Sequence, residues 1–189
     1  MYSSGTGEER PLAEREEYTL IKVGRGMSES FEVHIAKAEH VFSAAHFITF
    51  AGNCERLHGH NYRVAAEIAG QLDENHLVID FLLVRAKLVE ITTELDHYVL
   101  LPTQHPQIRV QENGLEITAT FAERRWVFPS GDCRLLPVPN TTSELLAAHI
   151  GKRLFEALGG AAAKIDRMKV SVDECDGQIG VWKWQAGAR

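Results

Sequence analysis

Three histidines occur close together in this sequence, in a spacing that suits the binding of one metal ion. His58 and His60 are separated by a single glycine, and alternate residues of a β-strand point to the same face, so both imidazoles can reach one ion. His46 precedes them on a segment that we expect to form the adjoining antiparallel strand. Three neutral imidazoles leave one position of a tetrahedral zinc ion open, as in catalytic zinc sites. Structural zinc sites usually contain cysteine pairs, and the three cysteines of this chain form none.

Two further groups near this motif could transfer protons. Cys54 lies four residues before His58, and its thiolate could move protons on and off carbon if cationic surroundings lower its pKa. Asp96 and His97 are adjacent, and a carboxylate can orient an imidazole for proton transfer. Each has an ordinary alternative: an inert, partly buried thiol for Cys54, and for His97 a histidine favoured by a helix C-terminus. Any single histidine is also most often a partly exposed residue without a ligand.

Five motifs follow one another along the chain: Phe42-Ser-Ala-Ala-His46, Cys54-x-x-x-His58-Gly-His60, Leu95-Asp96-His97, Thr142-Ser143-Glu144 and a Val-x-Val-x-Glu strand that ends at Glu174. Taken together, they resemble the family of 6-pyruvoyltetrahydropterin synthase and 6-carboxytetrahydropterin synthase. The resemblance covers about residues 30–101 and 139–184, in the right order. It leaves out the N-terminus and an insert at about residues 103–138.

The resemblance implies a role for each of these residues. The zinc ligands are His46, His58 and His60, and the zinc ion acts as a Lewis acid on the oxygens of a substrate side chain. The catalytic residues are Cys54, Asp96, His97 and Glu55. The carboxylate of Glu174 anchors a pterin through two hydrogen bonds, with polar contacts from Thr142 and Ser143. The family also implies the tunnelling fold, in which sheets join into a barrel, and a homohexamer of two trimers with active sites between subunits.

Glu55 leaves the reaction open between members of this family. Relatives with Cys-x-x-x-His-Gly-His resemble 6-carboxytetrahydropterin synthases, which convert dihydroneopterin triphosphate for queuosine-type biosynthesis; the pyruvoyl enzymes usually have two more residues between cysteine and histidine. A variant with Glu-x-x-His-Gly-His resembles an enzyme that releases 6-hydroxymethyl-dihydropterin for folate synthesis. This chain has both residues, as Cys54-Glu55-x-x-His58. The carboxy reaction is the leading expectation. The alternatives are the hydroxymethyl reaction and a zinc- and pterin-binding protein without turnover, and Glu55 could equally be a solvent-facing residue.

Periodicity predicts an α+β fold that positions these residues, with a four-stranded antiparallel sheet and two helices on one face. Alternating apolar residues predict strands over 31–46 and 60–69, and a closing hairpin of 168–174 with 179–184. One helix is expected after an N-cap at Asp80, with a buried stripe of Phe81, Val84, Leu88, Ile91 and Leu95. A second is expected to begin at a capping box, Thr141 to Glu144, and to stop at Gly159.

The insert at about 103–138 carries strand signals of its own. Asn113-Gly114 between two alternating runs predicts a β-hairpin, and a second hairpin is expected around Ser130-Gly131-Asp132. Because the insert follows Asp96-His97 directly, one hypothesis is that it borders the pocket or adds a subunit contact. A passive surface elaboration is the alternative.

Composition narrows the class of protein and its surroundings. The 189 residues are 44% apolar and 24% charged, which is ordinary for a globular protein. A net charge of −6 gives no support to nucleic-acid binding, and the sequence shows no long apolar run for a membrane span. Three irregularly spaced cysteines indicate free thiols in a reducing cytosol, so a cytoplasmic protein is expected. Residues 1–17 are expected to be a mobile tail and residues 18–189 a single domain, with a short strand at 18–23.

Overall fold

The computed structural model describes residues 29–187, and the expected tail and the short strand at 18–23 lie outside them. The strands are β1 Phe31–Ile35, β2 Val41–His46, β3 Thr49–Phe50, β4 Asn53–Cys54, β5 His58–Gly70, β6 Tyr98–Pro102, β7 Arg109–Asn113, β8 Glu116–Phe121, β9 Arg124–Pro129, β10 Cys133–Leu136, β11 Ile165–Asp173 and β12 Ile179–Gln185. The helices are α1 Phe81–Thr93 and α2 Ser143–Leu158.

The main sheet has seven strands, so the prediction of a four-stranded sheet is wrong in number. Its order is β10-β6-β2-β5-β11-β12, with β1 also paired to β5. The antiparallel strands include both predicted hairpin pairs, whereas β6 and β10 add parallel pairings at one side. The predicted strand 31–46 is interrupted, because Ile35 pairs with Ala66 and Val41 with Arg63. Residues 36–40 therefore have too few partners on β5 to continue the ladder.

Both helices pack on one face of this sheet, as predicted. The main core contains apolar residues of α1, α2 and the strands, among them Leu88, Ile150 and Val170. Helix α1 begins after Asp80, whose carboxylate accepts a hydrogen bond from the Leu82 N–H. The predicted stripe of α1 is buried except for Phe81, which is 49% exposed.

Helix α2 differs from its prediction at one end only. It begins at Ser143, and the expected capping box is absent, because the Thr141 hydroxyl donates instead to the carbonyl of Phe47 at 3.1 Å. Thr142 occupies the N-cap position without a side-chain hydrogen bond. The helix ends at Gly159, whose φ of +52° is a left-handed conformation that favours glycine.

The insert forms a separate antiparallel sheet of β7, β8 and β9. Its first hairpin turns at Gly114, as predicted. The second predicted hairpin is wrong: β9 pairs back onto β8, and β10 leaves to join the main sheet beside β6. Residues Ser130–Asp132 form a short 3-10 turn between the two sheets rather than a hairpin turn.

A second apolar cluster joins this small sheet to the main one. Its buried residues are Phe47, Leu101, Ile108, Ile117, Ala119, Phe121 and Cys133. Cys133 and the side chains of β8 thus cover the end of β2, next to His46. Within residues 29–187, neither helix is long and apolar enough to span a lipid bilayer.

Candidate active site

The three predicted metal ligands converge at one point of the main sheet. His46 is the last residue of β2 and pairs in register with His58, the first residue of β5, and His60 follows on the same face. One ring nitrogen from each histidine lies within 4.8 Å of those of the other two. Within residues 29–187, this is the only cluster of histidine, cysteine or acidic side chains with such an arrangement.

Hydrogen bonds and burial make His46 a neutral imidazole with a free lone pair. Its Nδ1 donates to the carbonyl of Thr141 at 2.8 Å, so the proton is on Nδ1 and the lone pair is on Nε2. That Nε2 is buried and has no hydrogen-bond partner among the described residues. Burial lowers the pKa of His46 to about 4, since a charged ring would lose its hydration. A metal ligand needs this protonation state and this second-shell bond.

His58 is oriented in the same way, because its Nδ1 lies 2.8 Å from the carbonyl of Arg56, to which it donates. In the neutral ring this bond leaves the lone pair on Nε2. A carboxylate oxygen of Glu55 lies 3.9 Å from this nitrogen. Glu55 thus lies beside the three-histidine cluster, on the side of His58, with its side chain 48% exposed.

Glu174 follows the last residue of β11 and brings a second carboxylate to the cluster. Its Oε1 lies 3.3 Å from Nε2 of His46 and 3.7 Å from Nε2 of His60. The hydroxyl of Tyr62 donates to the same oxygen at 3.4 Å. Burial and the neighbouring carboxylate of Glu174 raise the pKa of Tyr62, which keeps this hydroxyl a donor.

These contacts allow a test of whether a metal ion fits. While Nδ1 bears the proton of the neutral His46 ring, the Nε2 lone pair faces a carboxylate oxygen of Glu174 at 3.3 Å. Facing electron pairs repel each other unless a proton or a metal cation lies between them, and Nε2 has no hydrogen-bond partner among the described residues. The residues present therefore fit a divalent cation with nitrogen ligands.

Cys54 and Glu55 point in different directions. The Cys54 side chain packs against the second apolar cluster, whereas Glu55 reaches His58. Burial raises the pKa of the Cys54 thiol, and the nearby positive charge of Arg124 only partly opposes this. The protein's own groups therefore do not supply the lowered pKa that proton transfer by Cys54 requires, because burial outweighs the single guanidinium.

Asp96 and His97 form the expected pair, but away from the cluster. Asp96 Oδ2 lies 2.8 Å from Nδ1 of His97, and Asp96 Oδ1 accepts from the Ser43 N–H at 2.7 Å. His97 adopts a left-handed backbone with φ of +63°, held by its N–H to the Ser43 carbonyl, and its side chain is 81% exposed. Among the described residues, no hydrogen bond or ion pair joins this pair to the cluster. His60 and His97 do line one open cavity of about 480 Å³.

Thr142 and Ser143 lie at the start of α2, beside the residue that holds His46. Ser143 is buried and Thr142 half-buried, and their contact with a ligand remains a prediction. The residue that sequence reasoning missed is their neighbour Thr141, whose carbonyl orients His46. Asn140 supports it by accepting from the Thr141 N–H at 3.0 Å and donating to the Thr49 carbonyl at 3.1 Å. In the sequence, the polar run Asn140 to Thr142 just before α2 was the signal that could have indicated this role.

Tyr62 and Arg124 were also missed. Tyr62 continues the alternation His58-x-His60-x-Tyr62, so its position on the cluster's face could have been read from the strand period. Arg124 lies in the insert and donates to the carbonyls of Cys54 and Glu55 at 2.5 and 2.9 Å. No local pattern in the sequence indicates this contact, because Arg124 and Cys54 are 70 residues apart.

The fold and the site define an α+β protein with a three-histidine centre and two adjacent carboxylates. The sequence matches the family model described as 6-pyruvoyl tetrahydropterin synthase over residues 34–181, so the chain belongs to that family. A relative from Methanocaldococcus jannaschii, provisionally named 6-carboxy-5,6,7,8-tetrahydropterin synthase, is 30% identical over 139 residues, 72% of this chain and 85% of that protein. A relative from Pyrococcus horikoshii with the same provisional name is 31% identical over 70% of this chain and 79% of its own length.

Solved structures show the same similarity. A 6-pyruvoyltetrahydropterin synthase from Plasmodium vivax superposes with a TM-score of 0.79 at 27% identity, over 84% of this chain and 100% of that one. A second structure of the Plasmodium vivax protein, in which a catalytic glutamate is replaced by alanine, gives a TM-score of 0.79 at 26% identity with the same coverage.

Proposed function

We propose that this chain is a zinc-dependent lyase that acts on the side chain of dihydroneopterin triphosphate and forms 6-carboxytetrahydropterin. The observation that carries the proposal is the convergence of His46, His58 and His60 with the Glu174 carboxylate, in protonation states that suit a cation. The family supports a pterin substrate, and the names of the archaeal relatives support the carboxy product.

The protein's own residues divide the work between binding and proton transfer. A zinc ion held by the three histidines would supply Lewis-acid polarisation to the side-chain oxygens of the substrate. Glu174 accepts hydrogen bonds from the amino group and ring N–H of the pterin, while the Tyr62 hydroxyl keeps its carboxylate in place. Thr142 and Ser143 add polar contacts from the start of α2. The base that removes a proton from the side chain is Cys54 or Glu55.

Asp96 and His97 carry the second proton transfer in this proposal. The exposed imidazole of His97 is oriented by Asp96 but makes no hydrogen bond to its own chain's cluster, and we infer that it acts at the cluster of a neighbouring subunit. A homo-oligomer, as the family resemblance implies, would supply that neighbour. Such an assembly, with the tunnelling fold as a hexamer of two trimers, is part of the same proposal.

A second candidate is cleavage of the side chain to 6-hydroxymethyl-dihydropterin. The observation that favours it is the direction of Glu55, whose carboxylate faces His58 while burial raises the pKa of the Cys54 thiol. The Plasmodium vivax protein with its replaced catalytic glutamate shows that a member of this family uses a glutamate. The two candidates differ in which neighbouring side chain is the base.

Product analysis tests both. The zinc-loaded protein is incubated with dihydroneopterin triphosphate, and products are identified by mass spectrometry for wild type, Cys54→Ala, Glu55→Gln and, as a control, the exposed insert residue Glu123→Gln. Carboxytetrahydropterin with acetaldehyde, lost in Cys54→Ala and kept in Glu123→Gln, supports the leading proposal. A hydroxymethyl product lost in Glu55→Gln supports the second. A protein that binds zinc and pterin but yields neither product would refute both and indicate a binding protein without turnover.

A further inference from the structure

We propose that Arg124, on β9 of the insert, is a positioning residue that holds the Cys54–Glu55 segment beside the three-histidine cluster of the candidate active site. It acts through the backbone and touches neither substrate nor metal. The catalytic consequence rests on the function proposed above, whereas the positioning itself is a property of the folded chain.

The first step of the argument is the set of bonds around one peptide. Nη1 of Arg124 donates to the carbonyls of Cys54 and Glu55, at 2.5 and 2.9 Å. The Glu55 N–H donates to the carbonyl of Ile48 at 2.9 Å. The backbone of Glu55 is therefore held on both sides: its N–H binds Ile48, the residue before β3, and its carbonyl binds Arg124.

The second step concerns where the two side chains point. Both carbonyls meet at one nitrogen of Arg124, so the backbone bends where β4 ends at Cys54. With both carbonyls bound to the guanidinium, Cys54 packs into the second apolar cluster and Glu55 points toward His58. Loss of the guanidinium would free this bend, and with it the directions of both side chains. Arg124 thereby fixes the backbone from which Cys54 and Glu55 project.

The third step is the rigidity of the support. The Arg124 guanidinium lies 4.5 Å from the centroid of the Trp126 ring, and that ring stacks on Phe47 at 4.5 Å with an interplanar angle of 15°. Phe47 is fully buried and follows the ligand His46 directly. The same stack thus contacts both the end of β2 and the reactive segment. Lysine cannot reproduce it, because an ammonium lacks the planar, multi-donor geometry that stacks on a ring.

The test combines backbone exchange with kinetics in Arg124→Met, Arg124→Lys and a control, Arg125→Met. Arg125 is the adjacent, exposed arginine of the same strand. Hydrogen–deuterium exchange of the peptide covering residues 48–58 needs no activity. We expect it to rise about tenfold or more in Arg124→Met, since charge-assisted hydrogen bonds to the segment are lost, and to stay unchanged in Arg125→Met.

Steady-state kinetics of the zinc-loaded variants give the second readout. We expect kcat of Arg124→Met to fall by up to about 10²-fold, because a misplaced Cys54–Glu55 segment slows the chemical step. KM and zinc content should stay close to wild type, since the segment is not needed for binding. Arg124→Lys should recover only part of this loss. A shift in the ratio of carboxy to hydroxymethyl product would support the same role.

Two results would overturn the inference. Unchanged exchange in Arg124→Met would show that Arg124 does not hold the segment, whatever the activity. Increased exchange with an unchanged kcat would show that the hold is irrelevant to catalysis. Absence of turnover in the wild-type protein refutes the proposed function instead, and the exchange measurement then still decides whether Arg124 positions Cys54 and Glu55.

Discussion

Gly180 is the position where one added methyl group is expected to disturb the site from a distance. It lies on β12, where this strand passes the start of α2. A Cβ at this position would come within 2.3 Å of the Ser143 carbonyl carbon and the Glu144 nitrogen, and real Cβ atoms essentially never approach within 3.0 Å. Gly180→Ala therefore needs a shift of about 0.7 Å or more, and because the obstructing atoms are backbone, no side chain can rotate to make room.

Two effects should follow from that shift. Overpacking of this kind costs about 1–3 kcal/mol of unfolding free energy. The helix start also carries Thr141, whose carbonyl accepts from His46 at 2.8 Å, and displacement away from the ring would stretch that bond to about 3.5 Å, the limit of a hydrogen bond. Loss of such a second-shell partner typically lowers metal affinity by about 10–100-fold.

Urea unfolding and zinc titration against a competing chelator measure the two effects separately. Gly160→Ala is the matched control, since an added Cβ there meets nothing within 4 Å. If Gly180→Ala were as stable as this control and bound zinc equally well, the reasoning about close approach would be refuted. A loss of stability with unchanged zinc affinity would refute the link from the helix start to His46.

Three further substitutions test single contacts. Glu174→Gln should raise KM by about tenfold or more, because the amide loses the charge-assisted hydrogen bonds to the pterin, and an unchanged KM would contradict an anchoring role for this carboxylate. Tyr62→Phe should raise KM less, with about 1 kcal/mol or less of stability lost, as seen by kinetics and urea unfolding; an unchanged KM would contradict its support of Glu174. The pKa of Glu94 is held low by its hydrogen bond from Arg153, so Arg153→Met should cost well under about 1 kcal/mol above pH 4.5 at this exposed pair. Because a lowered folded-state pKa stabilises only above it, the difference from wild type should vanish as pH falls further, and a difference that persisted in acid would contradict the assignment.

The sequence was informative wherever local pattern and local chemistry coincide. The alternation that predicted β5 also predicted that His58 and His60 share a face, and the register with β2 then places His46 opposite. Asp80 as an N-cap and Gly159 as a stop are local as well, and the structure confirms both.

Non-local contacts account for the errors. Leu135 and its neighbours in β10 alternate like a hairpin arm, but their partner is β6, which no local pattern identifies. Thr141 satisfies the capping-box pattern, but its hydroxyl is used by Phe47, a residue 94 positions away. The sheet count failed in part for the same reason, since β6 joins the sheet by a parallel pairing with β2 and itself pairs with the edge strand β10.

The adjacent residues Cys54 and Glu55 show how the insert bears on the choice of reaction. Motif comparison treats the two as independent markers of two reactions, but the structure places their side chains in different surroundings. Glu55 lies 3.9 Å from His58, and the half-buried Cys54 packs against the second apolar cluster, to which the insert contributes Ile117 and Phe121. A chain with a short loop in place of the insert would lack part of this apolar cover, so burial would raise the pKa of the cysteine less. The insert is thus a structural reason, independent of the motif, for a glutamate to compete with the cysteine as the base.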